Sequence, residues 1–175
     1  MANEYSKENV WKIMEDSKTV NFIRAIGLPD RKNIRIDIET YTAIDGEASQ
    51  ELVDELHILR QDMTRRTAKT LKKLDVTAEE LKCGLSDEKA VKQVSEYLHK
   101  YDGVIVSYGT CAVISDINKI AMEFQIPLVE NNQFDMKKMT KKCDEDYPDK
   151  STIENTREAL KYCLKKLQKD IRSRE

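Results

Sequence analysis

At 175 residues, with 39% hydrophobic and 35% charged side chains, the chain has the length and apolar content for one domain with a real core, which excludes a disordered acidic tail. The formal net charge of −2 excludes a uniformly basic binding protein and leaves only local clusters, Lys137, Lys138, Lys141 and Lys142 in one and Arg65, Arg66, Lys69, Lys72 and Lys73 in another. Cys83, Cys111, Cys143 and Cys163 form no Cys-x-x-Cys pair, which removes a zinc framework, and the absence of an apolar h-region or membrane-length stretch leads us to expect a cytoplasmic chain with no membrane partner.

In chain order, residues 5–27 carry Val10, Trp11, Ile13 and Met14 and then Val20, Phe22, Ile23 and Ile26 at helical spacing, closed by Gly27-Leu28-Pro29. This predicts a helical extension over residues 1–30, available to a protein partner, ahead of a domain over residues 31–170. Ile34 to Thr40 reads as a strand whose isoleucines alternate with Arg35, Asp37 and Glu39. Two acids aimed the same way call for a counter-charge, either solvent on an outer sheet face or a hard cation such as Mg²⁺ or Mn²⁺.

Asp45-Gly46 then signals a turn, and Val53 to Leu59 a second strand in which His57 is an ordinary sheet residue. Thr64 to Leu74 suits a basic helix, Thr77-Ala78-Glu79-Glu80 is a capping box, and Ser86 caps a helix buried through Val91, Val94 and Leu98. Gly103 to Ser107 is a short apolar run suited to a buried strand. Asp116 is read as the opening of a helix carrying Ile117, Ile120, Ala121 and Phe124, its acid favouring the helix dipole. Gln133 to Met136 reads as a short strand and Lys137 to Cys143 as a short helix. A second capping box at Ser151 begins the last helix, through Ala159, Leu160, Cys163, Leu164 and Leu167.

Three of these stretches together resemble the DnaQ-like 3′–5′ exonucleases, in particular their KapD/Eri-type branch, over about Ile34 to Leu167. Asp37-Ile38-Glu39-Thr40 is similar to the family's first motif. Leu71 to Leu81, with Asp75-Val76-Thr77 at its middle, resembles a recurring segment that follows. Val104 to Gly109 with Asp116-Ile117 and Ile126-Pro127 is similar to the second motif and its helix. The resemblance implies an α/β fold, an RNase H-like mixed sheet flanked by helices. It also implies two Mg²⁺ or Mn²⁺ ions clamping a phosphodiester at the 3′ end of single-stranded DNA or RNA, with Asp37, Glu39 and Asp116 as ligands.

The family's third motif carries a histidine and an aspartate, and here Arg157 and Tyr162 stand in their places. Arginine stays protonated and cannot act as the general base, and tyrosine is a poor substitute for a carboxylate ligand. Glu158, one turn before Tyr162, is the remaining carboxylate of that helix and the fourth candidate for the site. The polar stretch between Thr40 and Val53 is short where the family has another strand, so a strand of the sheet is expected to be missing. Two readings follow: a two-metal exonuclease carrying Asp37, Glu39, Asp116 and Glu158, or an inactive exonuclease fold that binds nucleic acid or a protein partner.

Overall fold

The computed structural model describes residues 12–13, 15–42, 51–108 and 112–138, and within the C-terminal stretch residues 153–154, 156–158, 161–162, 165, 169 and 173. Its strands are β1 (Thr19–Ile26), β2 (Arg35–Thr42), β3 (Leu52–Leu59), β4 (Val104–Ser107) and β5 (Gln133–Asp135), in one sheet of order β3-β2-β1-β4-β5. β1, β2 and β3 pair antiparallel, whereas β4 runs parallel to β1 and β5 parallel to β4. With helices α1 (Ala68–Leu74), α2 (Ala78–Lys82), α3 (Asp87–Lys100) and α4 (Ala112–Glu123), this is the mixed α/β architecture expected from the sequence.

Side-chain alternation gives the sheet two unlike faces. On one, Ile23, Ile36, Ile38, Ile58 and Ile105 meet Val91, Val94 and Leu98 of α3 and Val113, Ile114, Ile117 and Ala121 of α4 in the main core. On the other, α1 and α2 bury Leu74 and Leu81 with Leu28 and Ile34 in a smaller cluster, joined at its margin by Ile26 and Leu59. Ile34 therefore belongs to a different core from Ile36 and Ile38.

The centre of the sheet is pinned by a polar clamp. Asn21 accepts from Thr40 Oγ1 at 2.6 Å and donates to the carbonyls of Tyr101 and Gly103 at 3.0 and 3.2 Å, tying β1 to β2 and to the turn before β4. Gly103 sits so close to β1 that a Cβ there would meet the Thr19 carbonyl oxygen at 2.0 Å, so only glycine fits. The helix starts are locally encoded: Thr67 caps α1, Thr77 and Glu80 close both bonds of the capping box on α2, and Ser86 caps α3.

The main departure from the sequence reading is β1. Thr19 to Ile26, expected as helix, is the central strand of the sheet, hydrogen-bonded to β2 and β4. Val20 to Ile23 are all buried, as in a strand covered on both faces, and a short apolar run satisfies helical and buried-strand patterns equally well. The β-branched Thr19, Val20, Ile23 and Ile26 favour the strand. Helical residues upstream are Lys12, Ile13, Glu15 and Asp16; Val10 and Trp11 lie outside the described residues.

β1 also supplies the strand expected to be missing: it enters before the acidic strand and not after it, and so the Asp37 strand is second in the sheet. α1 begins at Ala68 and not at Thr64. Asp116 does not open its helix, because α4 starts at Ala112 and holds Asp116 within its second turn. Lys137 and Lys138 are helical as expected, while Met139 to Cys143, the Asp45-Gly46 turn and the Ser151 cap lie outside the described residues.

Candidate functional site

The antiparallel register sets the chemistry of the sheet's second face. Arg24, Asp37 and His57 are direct partners across β1, β2 and β3, and the row of Phe22, Glu39 and Glu55 lies on the same side. Asp37 is almost covered, its side chain 7% exposed. Arg35 Nε donates to its Oδ2 at 3.1 Å and His57 Nδ1–H donates to its Oδ1 at 2.8 Å. Arg35 also donates to the Leu74 carbonyl at 2.8 Å, fixing its guanidinium against the end of α1. The hydrogen bond to Asp37 raises the His57 pKa above its ordinary value against the opposing effect of partial burial. The counter-charge that Asp37 requires is thus internal.

Tyr41 links Glu39 to the last helix. Tyr41 OH donates to Glu39 Oε1 at 3.4 Å, and the Arg157 guanidinium lies 4.5 Å from the centre of the Tyr41 ring, in cation–π range. Burial raises the Tyr41 pKa, the Glu39 charge adds to the effect, and the Arg157 charge opposes it. The last helix thus brings Arg157, read from the sequence as standing where the family has its histidine, onto the Tyr41 ring. Glu158 is 53% exposed and its carboxylate pairs with Lys161 at 3.3 Å.

Asp116 belongs to a different assembly. It rides on α4, the helix that covers the isoleucine face, and accepts from Asn33 Nδ2 at 3.1 Å, with Arg60 Nη1 at 3.6 Å. Arg60 also donates to Asp87 Oδ1 at 3.0 Å and to the carbonyls of Lys32 and Asn33, while Arg31 Nη2 reaches the same Asp87 oxygen at 2.9 Å. Burial would raise the Asp87 pKa, but the Arg60 hydrogen bond and the charges of Arg60 and Arg31 outweigh it and hold the carboxyl below its usual range. This cluster ties the loops around β2 and β3 to the starts of α3 and α4.

These residues do not fit a pair of hard divalent cations, which need several carboxylates converging on one point. Both oxygens of Asp37 already accept from cationic or hydrogen-bonding partners, and Asp116 sits on the helix layer behind the isoleucine face. Among the described residues no group of three or more His, Cys, Asp or Glu side chains is placed to hold a metal. Of the basic clusters, Arg66 is committed to Asp30 and Asp62 and Lys73 reaches the Gly27 carbonyl at 3.2 Å; Lys141 and Lys142 lie outside the described residues.

Arg35 and His57 are the site residues that motif reading passed over. Arg35 shares the alternating stripe with Asp37 and Glu39, which is a usable signal. His57 needed the strand register, which the sequence does not display.

No family model and no curated protein matches the sequence. Among solved structures the chain is similar to a full-length 3′-exonuclease, with a TM-score of 0.49 and 11% identity over 88% of this chain and 62% of that one. It is also similar to a 3′-exonuclease described in 3′-end specific recognition of histone mRNA stem-loop, with a TM-score of 0.49 and 11% identity over 88% of this chain and 65% of that one. The chain spans less than two thirds of the length of either. Among the described residues no helix is long and apolar enough to cross a membrane.

Proposed function

We propose that this chain is an exonuclease-like fold that binds single-stranded DNA or RNA without hydrolysing it by the two-metal route. One observation carries the reading: the Asp37 carboxylate is held by Arg35 at 3.1 Å and by His57 at 2.8 Å, so the acid at the head of the first motif is spent inside the protein. Arg157 supports it, because an arginine stacked on Tyr41, the hydrogen-bond partner of Glu39, suits a phosphate group and not a water-activating base. The partner class comes from the motif resemblance.

Catalysis would require Mg²⁺ or Mn²⁺ to displace both partners of Asp37 and to draw Glu39, Asp116 and Glu158 together. Incubating the protein with a labelled single-stranded oligonucleotide, with and without Mn²⁺, tests the proposal. The expected outcome is salt-sensitive binding with no release of nucleotides in either condition. Metal-dependent release that disappears in Asp37→Ala would establish the exonuclease instead, and absence of binding at low salt would remove the nucleic-acid partner.

A further inference from the structure

β1 outruns its parallel neighbour. The last β1–β4 partners are Phe22 and Val106, yet β1 continues to Ile26 while β4 ends at Ser107. Beyond the end of β4 lies a cavity of about 350 Å³ bounded by the Arg24 to Gly27 end of β1, Lys73 of α1, Ser107 and Tyr108, Val113 of α4, and Thr156 of the last helix. From β1 the chain turns outward to β2 and from β4 it turns the other way to β5, so the cavity stands at the carboxyl ends of strands where the sheet order diverges. In open α/β sheets that crevice is where ligands bind.

Its charge is one-sided. Arg24 and Lys73 line the cavity, and among the described lining residues there is no carboxylate. Arg24 is half-buried and faces Asp37 in register, but both Asp37 oxygens go to Arg35 and His57, and the Arg24 side chain forms no hydrogen bond or ion pair among the described residues. A guanidinium held at a cavity wall in this way keeps its full fork of donors for an incoming anion. Lys73 spends one N–H on the Gly27 carbonyl at 3.2 Å and keeps its charge at the rim. The first turn of α4, which supplies Val113, carries no acid to repel an anion.

We propose that this cavity is a phosphate pocket, in which Arg24 takes a phosphoryl group through paired N–H bonds and Lys73 supplies the second positive charge. It deepens the binding reading above and rests on that reading only for the idea that the phosphate belongs to a nucleic acid. The phosphoryl chemistry is the same in a strand terminus and in a free nucleotide.

The test compares wild type, Arg24→Gln and Lys73→Gln by thermal shift in inorganic phosphate and in a nucleoside monophosphate, and by anisotropy with an oligonucleotide carrying or lacking a terminal phosphate. Phosphate should raise the wild-type Tm in a dose-dependent way, and Arg24→Gln should abolish the rise while remaining folded, since the Arg24 side chain forms no hydrogen bond or ion pair among the described residues. Lys73→Gln should reduce the rise. If the terminal phosphate strengthens wild-type oligonucleotide binding several-fold and Arg24→Gln removes that gain, the pocket reads a strand end; if only the mononucleotide binds through Arg24, it takes a free nucleotide. A wild type insensitive to phosphate, or an equal rise in Arg24→Gln, overturns the pocket. Oligonucleotide binding that survives Arg24→Gln unchanged, together with a phosphate and mononucleotide rise that also survives it, would overturn the pocket while leaving the binding reading intact.

Discussion

The two faces of the sheet are built from the same strands and behave as different materials. Toward α3 and α4 the strands present Ile23, Ile36, Ile38, Ile58 and Ile105 to one continuous core. Toward the other side the rows read Arg24, Asp37, His57 and then Phe22, Glu39, Glu55, charge beside charge. Asp37 lies on the charged face and Asp116 on a helix that covers the apolar one. Acids that occur in the right order along a chain do not thereby share a site. A period of two decides the face of a strand residue, and packing of the apolar stripe decides the side of a helix.

The contrast can be broken at several strengths. The largest effect is expected on the apolar face: Ile38→Ala removes a fully buried side chain and should cost about 2–5 kcal/mol in urea unfolding. A loss below about 1 kcal/mol would mean that α3 and α4 do not close on the sheet as described. Arg60→Ala comes next, because it deprives Asp87, Asp116 and the Lys32 and Asn33 carbonyls of a shared donor. Asp87 is partly exposed, so the expected cost is about 1–3 kcal/mol.

The comparison itself is sharpened by Asp37→Asn and Asp116→Asn. The two acids have different partners, so their effects should add within about 0.5 kcal/mol in the double variant. Mg²⁺ should shift the Tm of wild type and both variants alike. A Mg²⁺ stabilisation present in wild type and lost in each single variant would place both acids at one metal and erase the distinction between the faces.

Much of the fold was legible because the signals were local. The Thr77 capping box and the Ser86 cap are each encoded within a few residues, and β4 and β5 fall within their expected stretches, Gly103 to Ser107 and Gln133 to Met136. β1 was not legible, since Val20, Phe22, Ile23 and Ile26 fit helix and buried strand equally and only pairing with β2 and β4 decides between them. That one element moved the acidic strand from first to second place in the sheet. At the candidate site the sequence displayed which acids share a strand face and not what surrounds them. Alternation correctly put Asp37 and Glu39 on one face, but the partners of Asp37 depend on a neighbouring strand and the partners of Asp116 on loops that meet only after folding.

The smallest effect is the most diagnostic of how Asp37 is held. His57 has a raised pKa in the folded protein because its Nδ1–H bonds to Asp37, whereas in the unfolded chain it titrates near about 6.5. Between those two values the native state binds more protons than the unfolded state, so stability falls as pH rises. The contribution is complete below the unfolded pKa and fades as pH climbs through the folded one. Because the ring is 55% exposed, solvent screening limits it to about 1 kcal/mol or less. Urea unfolding of wild type and His57→Gln at several pH values between about 5 and 9 should show a wild-type advantage at the acid end that shrinks toward the alkaline end. Asp37→Asn should remove the same pH dependence. An advantage that grows with pH, or one untouched by Asp37→Asn, would mean that His57 is not what holds Asp37 on the charged face.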